Sequence, residues 1–227
     1  MTMARRAVST AQANTLRRKV RLWYQAYGRK FPWRRRGASN YERVVTELLL
    51  QRTRAETIAA LAPVFFNKYP TWHSLARASP VSLARLLRPI GLYTRRAAAF
   101  ASLAKVVVAR RGRFPKDREA LEELPGVGQY VASAILVIHH GKREPFLDVN
   151  MARVLERYFG PRQLADIRYD PWLQDLARKI VQGRDPLTTN FAILDFAALV
   201  CTSKRPHCSS CPLRRACKMV GIFSSAI

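Results

Sequence analysis

Apolar positions recur at three- and four-residue spacing along most of the chain, the period of helices with one buried face. Leu16, Val20 and Trp23 mark one face of a first helix. Ser39, followed three residues later by Glu42, spells a capping box ahead of a helix over 41–53, and a second run covers 54–68. Ser79 with Pro80 reads as an N-cap followed by proline at the first helical position, opening a helix that reaches Leu87. Gly91 ends that unit, and 94–111 is a long Ala/Val-rich helix. Residues 117–123 read as a short helix closing on Pro125 and Gly126, and further helices are expected over 128–139, 149–159, 171–182 and 187–200. No segment keeps a two-residue alternation with hairpin signals, and no repeat is visible, so the predicted class is all-α. Pro32 and Gly37 break the chain early, and 141–145 breaks it again. Those breaks are compatible with one domain over 32–142 and a second made of 1–31 plus 143–227.

Charge changes the picture most. The chain of 227 residues carries 40 Lys+Arg against 15 Asp+Glu, a net +25, while 48% of its residues are apolar. That apolar share excludes a disordered tail. The self-repulsion of such a charge costs stability and brings the fold nothing, so it points to a polyanionic partner. The excess is uneven: residues 1–36 hold eleven basic residues and no carboxylate, and 57–116 hold no carboxylate either. No apolar run is long enough to span a bilayer, so no membrane is expected. The N-terminus lacks an apolar signal core, which argues for an intracellular protein of the cytoplasm or nucleoid.

Four segments carry candidate chemistry. Leu124-Pro125-Gly126-Val127-Gly128 joins a short acidic helix to a long apolar one. Its glycines let the backbone turn tightly, and the N–H groups at a helix N-terminus suit a phosphate; a plain turn between helices is the other reading. Asp148 opens a helix at Phe146-Leu147-Asp148-Val149-Asn150, where it serves as an N-cap with or without a further role. Cys201, Cys208, Cys211 and Cys217 are all the cysteines of the chain. Their clustering argues against a spread disulfide framework, and their irregular spacing suits a [4Fe–4S] cluster better than the paired C-x2-C of a four-cysteine zinc site. Lys204, Arg205, Arg214, Arg215 and Lys218 surround them. Glu47 is embedded in the apolar run Thr46–Thr53. Buried, its pKa would rise, as suits a general acid; turned outward or paired with an arginine, it would be ordinary.

Together these segments resemble the helix-hairpin-helix (HhH-GPD) DNA glycosylases of the endonuclease III/MutY superfamily. LPGVGQYVASAIL, then FLDVNMARVLERYFG, then C-x6-C-x2-C-x5-C cover about residues 30–217 in the family's order. The resemblance implies a two-lobe all-helical fold, a six-helix domain with the hairpin and a second domain with the cluster loop. It implies double-stranded DNA containing a mismatched or damaged base as partner, bound by a monomer across a cleft. It makes Asp148 the catalytic carboxylate and the four cysteines the ligands of a [4Fe–4S] cluster, and it leaves a monovalent cation at the hairpin open. The strand-cleaving branch carries a lysine nucleophile where Tyr130 stands here, so lyase activity is not expected. Tyr130, with TELLLQRT at 46–53, resembles the archaeal-type mismatch thymine/uracil-DNA glycosylases. Pro32-Trp33-Arg34, Glu47 and Gln51 are shared with adenine glycosylases of the MutY type, the alternative reading; a non-catalytic DNA-binding iron–sulfur protein ranks lower. One departure is Val131, where the family commonly has threonine.

The expected reaction is hydrolysis of an N-glycosidic bond after the base has been flipped from the stack. Asp148 would stabilise positive charge on the sugar, and Glu47 and Tyr130 would line the base pocket. Gly126, Val127, Gly128 and Gln129 would grip a phosphate. Gln51 and Arg52 would fill the gap or touch the orphan base, with Leu92 or Tyr93 as weaker wedge candidates.

Overall fold

The computed structural model describes residues 8–220, and every regular element among them is helical. The α-helices are α1 (Thr10–Tyr27), α2 (Asn40–Leu50), α3 (Ala55–Lys68), α4 (Trp72–Ala76), α5 (Pro80–Leu87), α6 (Tyr93–Ala109), α7 (Arg118–Glu122), α8 (Gln129–His140), α9 (Val149–Phe159), α10 (Pro171–Val181) and α11 (Pro186–Leu199). Among the described residues no helix is long and apolar enough to cross a membrane.

Local signals account for most helix starts. The Ser39 hydroxyl accepts from the Glu42 N–H at 3.1 Å, and the Ser39 N–H donates to Glu42 Oε2 at 2.6 Å. This reciprocal box opens α2. Proline holds the first turn of α5, but Ser79 makes no side-chain capping bond, contrary to its expected role. Helix α2 also stops earlier than its apolar pattern suggests. The expected helix over 41–53 ends at Leu50, because Gln51 leaves the helical region with ψ 113° and Arg52 follows with a positive φ of 55°. For a residue with a Cβ that conformation costs about 1–2 kcal/mol. Helix α4, five residues opened by a Thr71–Ser74 capping box, adds to the expected elements.

The chain divides into two compact units, Lys30–Lys142 and Met1–Arg29 together with Arg143–Ile227. In Lys30–Lys142, α4 and α5 pack on α6, and α8 packs on α2 and α7. Trp33, Val45, Leu49, Phe65, Phe100, Leu103 and Ile135 belong to its core. Helix α8 is buried from Val131 to Val137 and runs through that core. In the other unit, α1 packs on α10 and α11, and α9 packs on the same two. Leu16, Met151, Leu155, Leu176, Ile180 and Phe196 lie in its core. There Asp195 on α11 is fully buried, and it accepts from the Arg29 backbone at 2.7 Å and from Arg29 Nε and Nη2 at 2.8 Å each. That pair ties the chain just beyond α1 to α11.

Candidate functional site

The unit Lys30–Lys142 holds two groups of candidate residues. Glu47 is 1% exposed on the inner face of α2, so the outward-facing alternative is excluded. Tyr130, in the first turn of α8, donates its hydroxyl to Glu47 Oε2 at 2.9 Å. The pairing follows from the packing of α2 on α8, which joins residues 83 positions apart. Phenol and carboxylate together form a polar patch whose remaining lone pairs can accept from a planar heterocycle.

Near that pair lies the hairpin between α7 and α8. The tight turn rests on one of the two glycines, not both: only Gly126 has a positive φ, at 75°. A Cβ on Gly126 would also come within 3.2 Å of the Ala99 methyl, so both backbone and packing call for glycine there. Gly128 is extended, and a Cβ there would enter open space. Val127 buries its side chain in the core and donates its N–H to the Leu124 carbonyl at 3.0 Å, shaping the hairpin from within. Gly128 is the N-cap of α8 and provides no side-chain cap to its first turn. Arg118 holds that turn by bonding the Gln129 carbonyl at 3.2 Å and Ser133 Oγ at 3.1 Å. Gln51, exposed just beyond α2, donates its amide to the Gly126 carbonyl at 3.2 Å. Two segments that the sequence presents separately are thus joined. Leu92 and Tyr93 are 63% and 40% exposed at the start of α6.

In the other unit, Asp148 is the N-cap of α9, so the plain structural reading of that residue is correct as far as it goes. Its Oδ1 accepts from the N–H groups of Asn150 and Met151 at 2.9 and 2.8 Å. Its Oδ2 accepts from the Asn150 side-chain amide at 2.6 Å. Burial pushes the carboxyl above its ordinary pKa, while these donors and the charge of Arg153 pull it back without cancelling the rise. Behind Asn150 stands Arg153, which bonds Asn150 Oδ1 at 3.2 Å, the Cys201 carbonyl at 2.9 Å and the Ala197 carbonyl at 3.0 Å. One line of hydrogen bonds therefore runs from Asp148 to the start of the cysteine loop.

All four cysteines are free thiols that line one cavity, with Arg157, Pro206 and Val220 among its other walls. Burial, and after it the nearness of the other three sulfurs, pushes Cys211 up to about 11. Among the described residues, no group of three or more His, Cys, Asp or Glu closes tightly enough to hold a single metal ion. Arg157, one helical turn beyond Arg153, grips the loop through the Thr202 and Ser203 carbonyls at 2.7 and 2.8 Å.

Sequence reasoning assigned no role to Arg96, Arg153 or Asn150. Asn150 and Arg153 were within reach, because residues three apart meet on one helix face. Arg96 left no local signal, since its partners lie more than 40 positions away.

The chain is similar to known proteins over most of its length. The thymine-DNA glycosylase of Aeropyrum pernix is 39% identical over 208 residues, 89% of this chain and 92% of that protein. The thymine/uracil-DNA glycosylase of Pyrobaculum aerophilum is 41% identical over 197 residues, covering 84% and 85%. The solved structure of a thermostable thymine-DNA glycosylase superposes with a TM-score of 0.84 at 30% identity, over 93% of this chain and 98% of that one. Residues 45–169, which include the Glu47–Tyr130 pair, the hairpin and Asp148, match the family model of the HhH-GPD superfamily base excision DNA repair proteins, and the chain belongs to that superfamily.

Proposed function

We propose that this protein is a monofunctional DNA glycosylase that hydrolyses the N-glycosidic bond of a flipped, mispaired base, thymine or uracil opposite guanine. The observation that carries the reading is the bond from Tyr130 to buried Glu47. A phenol stands where an imine-forming enzyme needs an amine, so the chain has no nucleophile there for strand scission. The pair gives a base pocket acceptors suited to the N–H of a pyrimidine edge. The 39% and 41% identity to thymine and thymine/uracil glycosylases supports the same substrate class.

Asp148 acts as the ionised carboxylate. Three donors fix its two oxygens, so it needs no reorganisation as positive charge grows on the sugar, and it orients the attacking water. The N–H groups of Gly126, Gly128 and Gln129 hold a backbone phosphate of double-stranded DNA, with Val127 shaping the hairpin behind them, and Gln51 and Arg52 meet the orphan base. We read Lys30–Lys142 as the helix-hairpin-helix domain and the other unit as the iron–sulfur domain. Cys201, Cys208, Cys211 and Cys217 fit a [4Fe–4S] cluster. No disulfide joins them, and all four line one cavity, as ligands of one shared cluster must. When bound, the cluster supplies a covalent cross-link across the loop; hydrolysis draws no electron from it. Absorbance near 400 nm distinguishes it from zinc.

The test is single-turnover excision on duplexes containing T·G, U·G, A·G and A·8-oxoguanine, each with and without alkali. Alkali-dependent cleavage at T·G and U·G is expected. Cleavage of the adenine strands instead would make the protein an adenine glycosylase with Glu47 as its acid, and cutting without alkali would sink the argument from Tyr130.

A further inference from the structure

We infer that Arg96 is a positioning residue that sets how strictly the base opposite the excised one is read. The inference rests on the glycosylase reading above and deepens it.

Among described residues other than glycine, Arg52, Leu92 and Arg111 alone have a positive φ. Arg52 and Leu92 both lie in segments that the reading places against DNA, and strained backbone of this kind persists only where its surroundings over-determine it. Arg96 secures both. Its backbone N–H bonds the Leu92 carbonyl at 2.9 Å, closing the first turn of α6. Its guanidinium reaches the end of α2, where Nη1 donates to the Leu49 carbonyl at 3.2 Å. Nη2 donates to the Gln51 carbonyl and, at 3.3 Å, to Thr53 Oγ1. Those carbonyls are the negative end of α2, where a cation is favoured.

The contacts bracket Arg52 on both sides and fix the backbone of Gln51, whose amide then meets the hairpin at Gly126. Arg96 itself is half-buried on the protein side of the turn. Burial, and next the like charge of Arg52, depress its pKa. One side chain therefore holds the orphan-base contacts and, through Gln51, the hairpin in one register. A lysine, with a single ammonium, cannot span acceptors on Leu49, Gln51 and Thr53 as the guanidinium fork does.

The measurement is the ratio of single-turnover excision rates for thymine opposite guanine and thymine opposite adenine, in wild type, Arg96→Lys and Arg96→Met. Both variants should lower the ratio about tenfold, the scale of one or two lost hydrogen bonds. In a background lacking the reading side chains (Gln51→Ala with Arg52→Ala), adding Arg96→Met should change the ratio by less than about twofold. A purely structural role lowers both rates together and leaves the ratio intact; that outcome overturns the inference, as does an equal fall of the ratio in both backgrounds. If Arg96→Met does not fold, Arg96→Lys decides alone, and an undiminished ratio in it overturns the inference. A wild type that excises neither base overturns the parent reading and this inference with it, whereas an active wild type with an unchanged ratio in the variants overturns this inference only.

Discussion

Asp148 shows how one side chain serves fold and chemistry together. An N-cap needs an oxygen facing the first-turn amides; a carboxylate meant to steady a cation needs its oxygens fixed before the charge appears. The same bonds meet both demands. Asp148→Asn keeps a capping oxygen and loses the charge. Single-turnover excision should therefore fall by at least about 10²–10³-fold, with retained binding to a mismatched duplex in a gel-shift assay; undiminished excision would remove Asp148 from the mechanism. The pH profile follows from the raised pKa. The active form is ionised, so the rate is lost as pH falls through the folded-state value, and the acid limb should lie above the ordinary carboxylate range. Asn150 lowers that value by donating to Oδ2. Asn150→Ala should move the limb to higher pH, and a limb that stays in place would mean that Asp148 is not the group being titrated.

Helix α9 carries a second division of labour. One face buries Met151, Leu155, Tyr158 and Phe159, while Arg153 and Arg157, four residues apart, hold carbonyls of the cysteine loop. Periodicity made this legible: the 149–159 helix matches residue for residue, because a long helix with one buried face repeats its signal. What the sequence concealed has a common cause. The end of α2, the partner of Glu47 and the contacts of Arg96 are all settled by residues 40 or more positions away. The apolar pattern of 41–53 is real, yet the turn at Gln51 and Arg52, held from α6 through bonds to Gln51 and Thr53, ends the helix first. The buried pair of Asp195 with Arg29 is equally invisible from spacing. Asp195→Ala leaves a largely buried guanidinium and a backbone N–H without their acceptor, so the unit containing α11 should lose about 3–5 kcal/mol, measured by urea denaturation. A loss under about 1 kcal/mol would show the pair to be no stronger than a surface salt bridge.

At the scale of the whole chain, the net charge of +25 is the property that the fold does not explain. A carboxylate-free stretch over 57–116 spans α4, α5 and α6, so those helices present arginine and lysine with no acidic counterweight of their own. Binding to duplex DNA should release counterions, with log K falling linearly in log salt by about 0.9 per phosphate neutralised. If six phosphates are engaged, affinity should fall roughly 10³-fold between 50 and 200 mM salt. The slope should be the same for a matched duplex and for one carrying a T·G mispair. Phosphates are identical in the two, and only the cost of flipping the base and the contacts with its partner differ. The two lines should therefore run parallel, displaced by a constant factor. Converging lines would mean that the mispair is recognised by recruiting additional phosphate contacts, placing selectivity in the charged surface rather than in the turn around Gln51 and Arg52.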